Sequence, residues 1–379
     1  MSRPITWVEI SKKAFKQNLE QFKNVLSGTK IMLVVKSNAY GHGMLPMAKL
    51  AEKFGINWLG VVNLEEARKL REGGIKTPIL VLSYYQLNKE EINFAIKNDI
   101  RLVVYSEEQL KILDNLSKRE KQKLKVHLKI DTGLSRLGVL VDKADSFILK
   151  SVKKYKNLIF EGIFSHFAAS EENLKFSRFQ LDRFNELIKR LERKKINFPL
   201  KHFACSAASL VLPTSRFNLV RLGIAAYGLW PSSKTKRIVL SKYPNFTLHP
   251  ILSMYTKIVQ LKRVPANSFV GYGCTYKIRK PTMIAVLPVG YWEGYDRGFS
   301  HKGKVIIKDK FCPVLGRVCM NMIIVDVSKV KNLKIGDRAI IIGKSESKKI
   351  SVDDLAKMIG TINYEIVTRI NPLIPRFYV

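Results

Sequence analysis

The chain reads KIMLVVK from residue 30 to residue 36 and continues as SNAYGHG to residue 43. A short apolar run rich in valine and isoleucine, ended by turn-forming residues, is typical of an interior parallel strand. Lys36 closes this strand, where loss of water lowers the pKa of an amine and leaves part of it neutral at pH 7. A neutral amine forms a Schiff base with an aldehyde cofactor. The alternative is a surface lysine ahead of a flexible turn that contains Gly41 and Gly43.

Similar short apolar runs recur along the first two-thirds of the chain, separated by amphipathic helical patterns. Eight strands spaced by helices favour a (β/α)8 TIM-type barrel over an open sheet, so the predicted class is α/β. The predicted strands are 30–36, 58–63, 78–83, 101–106, 125–131, 160–167, 201–206 and 219–223. The predicted helices are 11–26, 45–54, 64–72, 89–97, 106–116, 144–154 and 176–195.

The pattern changes from about residue 244 onward, where short strand-like runs are separated by glycine and proline. This predicts a mostly-β C-terminal domain. We assign residues 1–240 to the barrel and residues 241–379 to the β-domain, with residues 1–10 packing against the latter, and the polar segment 232–245 is the predicted linker. The predicted β-domain elements are strands 251–259, 282–288, 304–307, 322–327 and 338–342 and a helix at 352–359.

Length and composition exclude several classes of protein. The 379 residues suffice for about two domains, and the hydrophobic content of 46% is that of a soluble protein. No apolar block resembles a signal peptide or a membrane span, and the four cysteines lack metal-ligand spacing, so we expect a cytoplasmic protein with free thiols, no metal and no membrane partner. The net charge of +35 is spread along the chain without interleaved aromatics, so we expect no dedicated nucleic-acid partner.

Unusual polar residues lie at the predicted ends of the barrel strands, which is where side chains face the active site of such a barrel. Each one alone also fits a structural role, such as a buried histidine or an ion-pair partner. Their joint placement at equivalent strand ends favours a shared site. These residues are Lys36, Lys129, Arg136, His166, Ser206, Arg221, Gly223 and Ile224.

Eight segments resemble, in the same order, motifs of the alanine racemases, which are pyridoxal-phosphate enzymes with a barrel and a β-domain. The resemblance covers nearly the entire chain and is highly specific in combination. The segments are VKSNAYGHG (35–43), KIDTGLSRLG (129–138), GIFSHFA (162–168), RLGI (221–224), GYGCTY (271–276), PVGY (288–291), GRVCM (316–320) and NYE (363–365).

The resemblance implies pyridoxal 5′-phosphate as cofactor and interconversion of L-alanine and D-alanine as the reaction. Racemisation needs two acid/base groups, because a proton removed from one face is replaced on the other. Lys36 and Tyr272 match these groups. Arg221 would face the ring nitrogen of the cofactor, and a relay from Arg221 through His202 would make Tyr272 a better base.

The other matched residues take binding and supporting roles in the family. Arg136 would bind the cofactor's phenolic oxygen and the substrate, His166 would pack on the ring, and Lys129 matches a lysine that is often carbamylated. The residues implied to bind the phosphate are Ser206, Gly223, Ile224, Tyr40 and Tyr364.

Family members are homodimers in which each active site borrows residues from the partner's β-domain. Tyr272 and Met320 would therefore act in the other subunit, with Met320 near the substrate. Tyr291 and its charged neighbour Arg297 would line a narrow opening suited to a small amino acid. We accordingly expect a homodimer with shared sites.

Four departures from the family pattern stand out: Cys205, Leu222, the pair Trp292-Glu293, and Asn321. None removes a cofactor anchor or an acid/base group, although Asn321 removes a charge near the substrate and Trp292 changes the opening. The leading interpretation is an alanine racemase that supplies D-alanine for peptidoglycan. The alternatives are a serine or broad-specificity amino-acid racemase and a non-enzymatic pyridoxal-phosphate carrier.

Overall fold

The computed structural model describes residues 3–379, which divide into two compact units. The barrel unit comprises Phe15–Ala39 and Met44–His249. The β unit comprises residues 3–14, Tyr40–Gly43 and Pro250–Val379. Two short segments from the first part of the chain thus belong to the β unit.

The barrel unit contains the eight predicted parallel strands in a nearly closed barrel. Neighbouring strands pair in chain order, and the eighth pairs with the first through the register Leu219 opposite Lys30. Between the seventh and eighth strands, the N–H of Arg221 donates to the carbonyl of Ala204 at 3.0 Å. The strands are Lys30–Val34, Trp58–Val61, Ile79–Val81, Ile100–Val104, Leu124–Asp131, Leu158–Phe164, Leu200–His202 and Leu219–Leu222, and the short Val139–Leu140 pairs with the fifth.

Amphipathic helices separate these strands, as predicted. Several begin at an asparagine or serine whose side-chain oxygen accepts a hydrogen bond from the first turn, as Asn63, Asn88 and Ser106 do. The helices are Lys12–Leu26, which begins in the β unit, and Met44–Lys53, Leu64–Glu72, Lys89–Lys97, Glu107–Arg119, Val141–Lys154, Leu174–Arg193, Ser206–Val211 and Ser233–Lys242.

The predicted linker at 232–245 is wrong, because Ser233–Lys242 is a helix of the barrel unit. Ser232 caps it by accepting from the N–H of Thr235 at 3.0 Å. The polar run that suggested a linker is therefore a capped helix start. The helix also spans the predicted boundary between residues 240 and 241.

The β unit is mostly β, as predicted. Its main sheet includes the N-terminal strand Thr6–Ile10, which pairs antiparallel with Leu252–Lys257 and parallel with Arg376–Tyr378. No helix among residues 3–379 is long and apolar enough to cross a membrane. The other strands are Gln260–Val264, Phe269–Val270, Tyr276–Lys277, Thr282–Leu287, Lys304–Ile307, Lys310–Pro313, Ile323–Asp326, Arg338–Lys344 and Lys349–Ile350, and the helices are Val352–Ile359 and Asn363–Thr368.

The first barrel strand leads into a left-handed turn at Lys36–Tyr40. Four successive residues, 37–40, have φ between 53° and 55°. This conformation costs about 1–2 kcal/mol for each residue with a side chain, so other contacts must hold it. The carboxylate of Glu66 accepts from the N–H of Ser37 at 2.7 Å and from the N–H of Val62 at 2.9 Å. The turn contains Lys36. By bonding to both amides, Glu66 connects this turn to the end of the second strand.

Gly41 follows this turn and belongs to the β unit. Its φ is +83°, and a Cβ there would overlap the carbonyl of Val367. Arg376 Nε donates to the Gly41 carbonyl at 2.9 Å, and the hydroxyl of Tyr378 donates to the His42 carbonyl at 2.8 Å. The glycines of this motif therefore allow a close approach to the C-terminal segment of the chain.

We predict that Gly41→Ala lowers the free energy of unfolding by more than about 3 kcal/mol, whereas Gly28→Ala lowers it by about 1 kcal/mol. The two glycines have nearly equal φ, +83° and +82°, but only Gly28 has open space within 4 Å of its added Cβ. Urea denaturation followed by circular dichroism measures both values. Equal losses in the two variants would contradict the packing argument.

We also predict that Glu66→Gln speeds hydrogen exchange at the amides of Ser37 and Val62 by about tenfold or more. Glutamine offers one carbonyl oxygen in place of the two carboxylate oxygens that these amides use. Glu65→Gln, at the exposed neighbouring position, is the matched control and should leave both rates unchanged. Unaltered exchange in Glu66→Gln would show that the carboxylate does not hold the turn.

Candidate active site

Lys36 is half-buried at the carboxyl end of the first strand. Burial lowers its pKa, the positive charge of Arg136 lowers it further, and the charge of Glu66 partly opposes them. No hydrogen bond to Lys36 Nζ is found among the described residues. The expected lowering of the Lys36 pKa is thus found, and its amine is available for reaction.

Lys129 is buried on the fifth strand, 4% exposed. Burial, followed by the charges of Arg136 and Arg221, lowers its pKa to about 7. Its Nζ lies 3.5 Å from the carbonyl of Leu82 and 5.6 Å from the ring centroid of Phe164. A large fraction of this amine is therefore neutral near pH 7.

Arg136 follows a tight turn organised by Asp131. One oxygen of this carboxylate accepts from the backbone N–H groups of Gly133 and Leu134 at 2.9 Å and of Ser135 at 3.2 Å. The turn brings Arg136 close enough for its charge to lower the pKa values of both lysines. The predicted association of Lys36, Lys129 and Arg136 is present within the barrel unit.

Arg221 is buried on the eighth strand and makes an extensive set of hydrogen bonds. Its Nη1 donates to Nδ1 of His202 at 2.7 Å and to the carbonyl of the same residue at 3.1 Å. Its Nη2 faces the carbonyls of Ser165 at 2.8 Å and Phe203 at 3.0 Å and Nδ1 of His166 at 3.1 Å. Among the described residues, Nε–H is the donor that has no acceptor.

His202 does not fit the predicted relay from Arg221 to Tyr272. Its Nδ1 accepts from Arg221, and its Nε2 lies 3.0 Å from Nδ1 of His127. Both ring nitrogens are therefore used inside the barrel, and this part of the prediction is wrong. His166 is the second histidine that contacts Arg221, through its Nδ1 at 3.1 Å. Its Nε2 has no partner among the residues described.

Ser206, Gly223 and Ile224 lie together, as predicted. The N–H of Gly223 donates to Oγ of Ser206 at 2.9 Å, so the start of the helix Ser206–Val211 meets the start of the 3-10 helix Ile224–Tyr227. Neither start has a side-chain cap, and Cys205 instead contacts Ser170 Oγ at 3.2 Å. Uncapped helix starts present N–H groups that suit an anion.

The β unit carries the remaining predicted residues. The rings of Tyr40 and Tyr364 lie 6.2 Å apart. Tyr272 and Met320 are 70% and 56% exposed. Tyr272 stands in a loop where Gly271, at φ +75°, and two of the next three residues have positive φ. This loop presents the phenol outward from the unit.

Two of the residues that depart from the family pattern, Asn321 and Glu293, contact each other in the β unit. Asn321 Nδ2 donates to Oε1 of Glu293 at 2.9 Å, and Oε2 of Glu293 accepts from the N–H of Gly290 at 2.8 Å. An aspartate at position 321 would place two carboxylates side by side, so the two departures compensate each other. The N–H of Tyr291 donates to Cys319 O at 3.1 Å, which joins the same two loops.

Arg297 was predicted as the charged neighbour of Tyr291, and no hydrogen bond between the two is found in the part of the chain described here. Arg297 begins the 3-10 turn Arg297–Phe299 and is exposed. The preceding Asp296 instead pairs with Arg369 at 2.5 Å. The role of Arg297 at an opening stays a prediction.

Several residues of the site were not predicted from the sequence. Glu66 lies three residues after the helix-capping Asn63, a spacing that would have been read as a cap alone. His127 and Glu161 are polar residues inside apolar strands, and this was the signal that could have identified them. Ser165 acts through its carbonyl, which a sequence pattern cannot indicate.

Comparison with known proteins agrees with this arrangement. The family model "Alanine racemase, N-terminal domain" matches residues 10–231, and "Alanine racemase, C-terminal domain" matches residues 251–378. Alanine racemase 1 of Caldanaerobacter subterraneus subsp. tengcongensis is 40% identical over 376 residues, which are 98% of this chain and 94% of the relative.

Solved structures give the same result across the full length. Alanine racemase of Clostridium difficile 630 is 33% identical with a TM-score of 0.92, covering 100% of this chain and 97% of the other. Alanine racemase of Bacillus anthracis, solved with bound L-Ala-P, is 33% identical with a TM-score of 0.91, covering 100% and 96%. The chain therefore belongs to the alanine racemase family, and it is an isomerase.

Proposed function

We propose that this chain interconverts L-alanine and D-alanine with pyridoxal 5′-phosphate as its cofactor. The observation that carries the proposal is the donor set of Arg221. Its terminal N–H groups are bonded to the protein, which leaves Nε–H for a ring nitrogen. A guanidinium does not give up its proton readily, so a ring nitrogen facing it stays unprotonated. Proton return to the substrate is then favoured over side reactions.

The chain's own residues fit this cofactor. The amine of Lys36, with its lowered pKa, can react with an aldehyde. The uncapped helix starts at Ser206 and Ile224 suit a phosphate, and we assign the hydroxyls of Tyr40 and Tyr364 to the same group by resemblance. We likewise assign His166 to the face of the ring and Arg136 to its phenolic oxygen and to the substrate.

When bound, the cofactor supplies an electron-withdrawing ring that acidifies the Cα–H of an amino acid. Nζ of Lys36 takes or returns the proton on one face. The hydroxyl of Tyr272 does so on the opposite face, so that removal and return on different faces invert the centre. Burial and the charge of Arg136 lower the pKa of Lys36, which makes the neutral, proton-accepting form of its amine easier to reach.

We propose that Tyr272 acts in the partner subunit of a homodimer. Within one chain Tyr272, Met320 and Tyr291 are 70%, 56% and 43% exposed. The loops of Tyr291 and Met320 are joined by the hydrogen bond from Trp292 N–H to Met320 O at 2.9 Å, and neighbouring exposed apolar side chains mark an interaction surface. The partner subunit's barrel is the surface we assign to them, with Met320 near the substrate and Tyr291 with Arg297 at the opening.

Lys129 fits carbamylation, in which the neutral amine adds to carbon dioxide and releases one proton. Arg136, Arg221 and Lys36 surround it with positive charge, which lowers its pKa and favours a negative product. The carbamate would pair with Arg136 and orient it toward cofactor and substrate. This assignment follows the resemblance and is supported by the pKa of about 7.

No observation favours the alternatives. The charge lost at Asn321 is balanced by its contact with Glu293, so this departure does not by itself argue for serine or a broad substrate range. A carrier made of a barrel alone does not account for the β unit. Supply of D-alanine to peptidoglycan and a cytoplasmic location stay predictions from the resemblance.

We predict that Tyr272→Phe lowers kcat for alanine racemisation by roughly 10²–10⁴-fold while cofactor absorbance is retained, because one acid/base group is lost. Lys36→Ala should lose both activity and the absorbance of attached cofactor. Tyr84→Phe is the control, since Tyr84 is also exposed at 59%. A coupled assay of D-alanine formed from L-alanine, run beside L-serine, measures each variant. Full activity in Tyr272→Phe would refute the two-base proposal.

We further predict that protein equilibrated with ¹³C-bicarbonate shows a carbamate resonance in ¹³C NMR that Lys129→Ala lacks. Carbon dioxide reacts with the neutral amine, and Lys129 has a pKa of about 7. Lys125→Ala is the control, because Lys125 lies on the same strand but pairs with Asp99 at 2.9 Å. A spectrum without the resonance in the wild type would remove carbamylation from the proposal.

A further inference from the structure

Arg221 is a buried cation with no carboxylate beside it. It is 4% exposed, and its acceptors are three carbonyls and two imidazole nitrogens. Within residues 3–379 no ion pair involves this guanidinium. An uncompensated charge in a protein interior is costly, so the surroundings should supply a counter-charge by another route.

A row of hydrogen bonds connects Arg221 to the carboxylate of Glu161. Arg221 Nη1 lies 2.7 Å from Nδ1 of His202, and Nε2 of His202 lies 3.0 Å from Nδ1 of His127. Nε2 of His127 lies 3.2 Å from Oε2 of Glu161. The row crosses the barrel interior through two fully buried imidazoles.

The two ends of this row determine where its protons lie. A guanidinium can only donate and a carboxylate can only accept. Burial lowers the pKa values of both histidines, so each is neutral and carries one N–H. His202 must then donate from Nε2 to His127, and His127 from Nε2 to Glu161. One arrangement of protons therefore satisfies the whole row.

Glu161 is charged at neutral pH. Burial would raise its pKa, but the hydrogen bonds from His127 and Arg101 outweigh burial and lower it to about 2. Arg101 Nε lies 3.1 Å from Glu161, yet Arg101 also pairs with Asp99 at 2.7 Å, and Asp99 in turn pairs with Lys125. Oε2 of Glu161 accepts from both Arg101 Nε and His127 Nε2, so the carboxylate faces the histidine row as well as Arg101.

The side chains of the sixth strand leave room for the two histidines and pack against them. A Cβ at Gly162 would overlap Nδ1 of His127, the atom that accepts from His202. The ring of Phe164 stacks on His202 at 4.5 Å with an angle of 9°. Glu161, Gly162 and Phe164 all lie on the sixth strand, so one strand provides the charge, the space and the stacking surface.

We propose that Glu161 and His127 are positioning residues of the reaction, which act through His202 as the remote counter-charge of Arg221 and hold its guanidinium in place. The positioning role rests on the proposed function of Arg221. The proton arrangement along the row does not depend on that function. The two parts can therefore be tested separately.

The test uses the intact, cofactor-loaded protein and the variants Glu161→Gln and Gly162→Ala. The first removes the charge and keeps an acceptor oxygen, and the second displaces His127 without changing any charge. Glu107→Gln is the control, since Glu107 pairs with Lys150 and Lys154 on the surface. Racemisation kinetics, thermal unfolding and ¹⁵N NMR of labelled histidines are measured for each protein.

We expect His127 and His202 of the wild type to be neutral with the proton on Nε2. Both variants should stay folded, keep the cofactor and lower kcat by about tenfold or more, as is usual for residues that orient a reactive group, while KM changes by less than about threefold. The His202 signals should shift in both, and Glu107→Gln should match the wild type.

Other tautomers in the wild type, or kcat within about twofold of wild type in both variants, would overturn the proposal. A loss of folding that fully explains the loss of activity in both variants would overturn the positioning role as well. A wild-type protein that shows the expected tautomers but does not racemise alanine would refute the proposed function and, with it, the positioning role. The proton arrangement of the row would then stand alone.

Discussion

Arg221 places a positive charge in the interior of the barrel, where its terminal N–H groups form hydrogen bonds with carbonyls and imidazoles. Its charge lowers the pKa values of Lys129 and His166, in addition to the effect of burial. Arg136 acts in the same direction on Lys36. This concentration of cations therefore shifts the amines and the histidines toward their neutral forms, which are the forms that the proposed chemistry needs.

Strain in the backbone places the reactive lysine. Four consecutive left-handed residues after Lys36 are unfavourable alone, and the Glu66 carboxylate holds them at Ser37 and Val62. Gly41 then passes so close to Val367 that no side chain fits. Within the barrel unit, the turn that follows Lys36 is thus held by a carboxylate that lies 30 positions further along the sequence.

Much of the fold could be predicted because its signals are local. The apolar runs of the eight barrel strands and the capped helices between them depend on neighbouring residues, and so does the helix Val352–Ile359. The strand Thr6–Ile10 has its partners at Leu252–Lys257 and Arg376–Tyr378, which no local pattern reveals. The helix after Ser232 was mistaken for a linker because a polar cap resembles a loop.

The amino-acid sequence by itself determined the family, the order of the elements and the residue types that cluster at the strand ends. Motifs and hydrophobic periodicity depend only on residues that are close together in the sequence. Only the tertiary structure decided which groups touch. It assigned both nitrogens of His202 to Arg221 and His127, and it joined Glu161 to the same row. It also paired Asn321 with Glu293. A hydrogen bond requires its donor and acceptor atoms to lie within a few tenths of an ångström of about 2.9 Å, and only folding sets such distances between residues far apart in sequence.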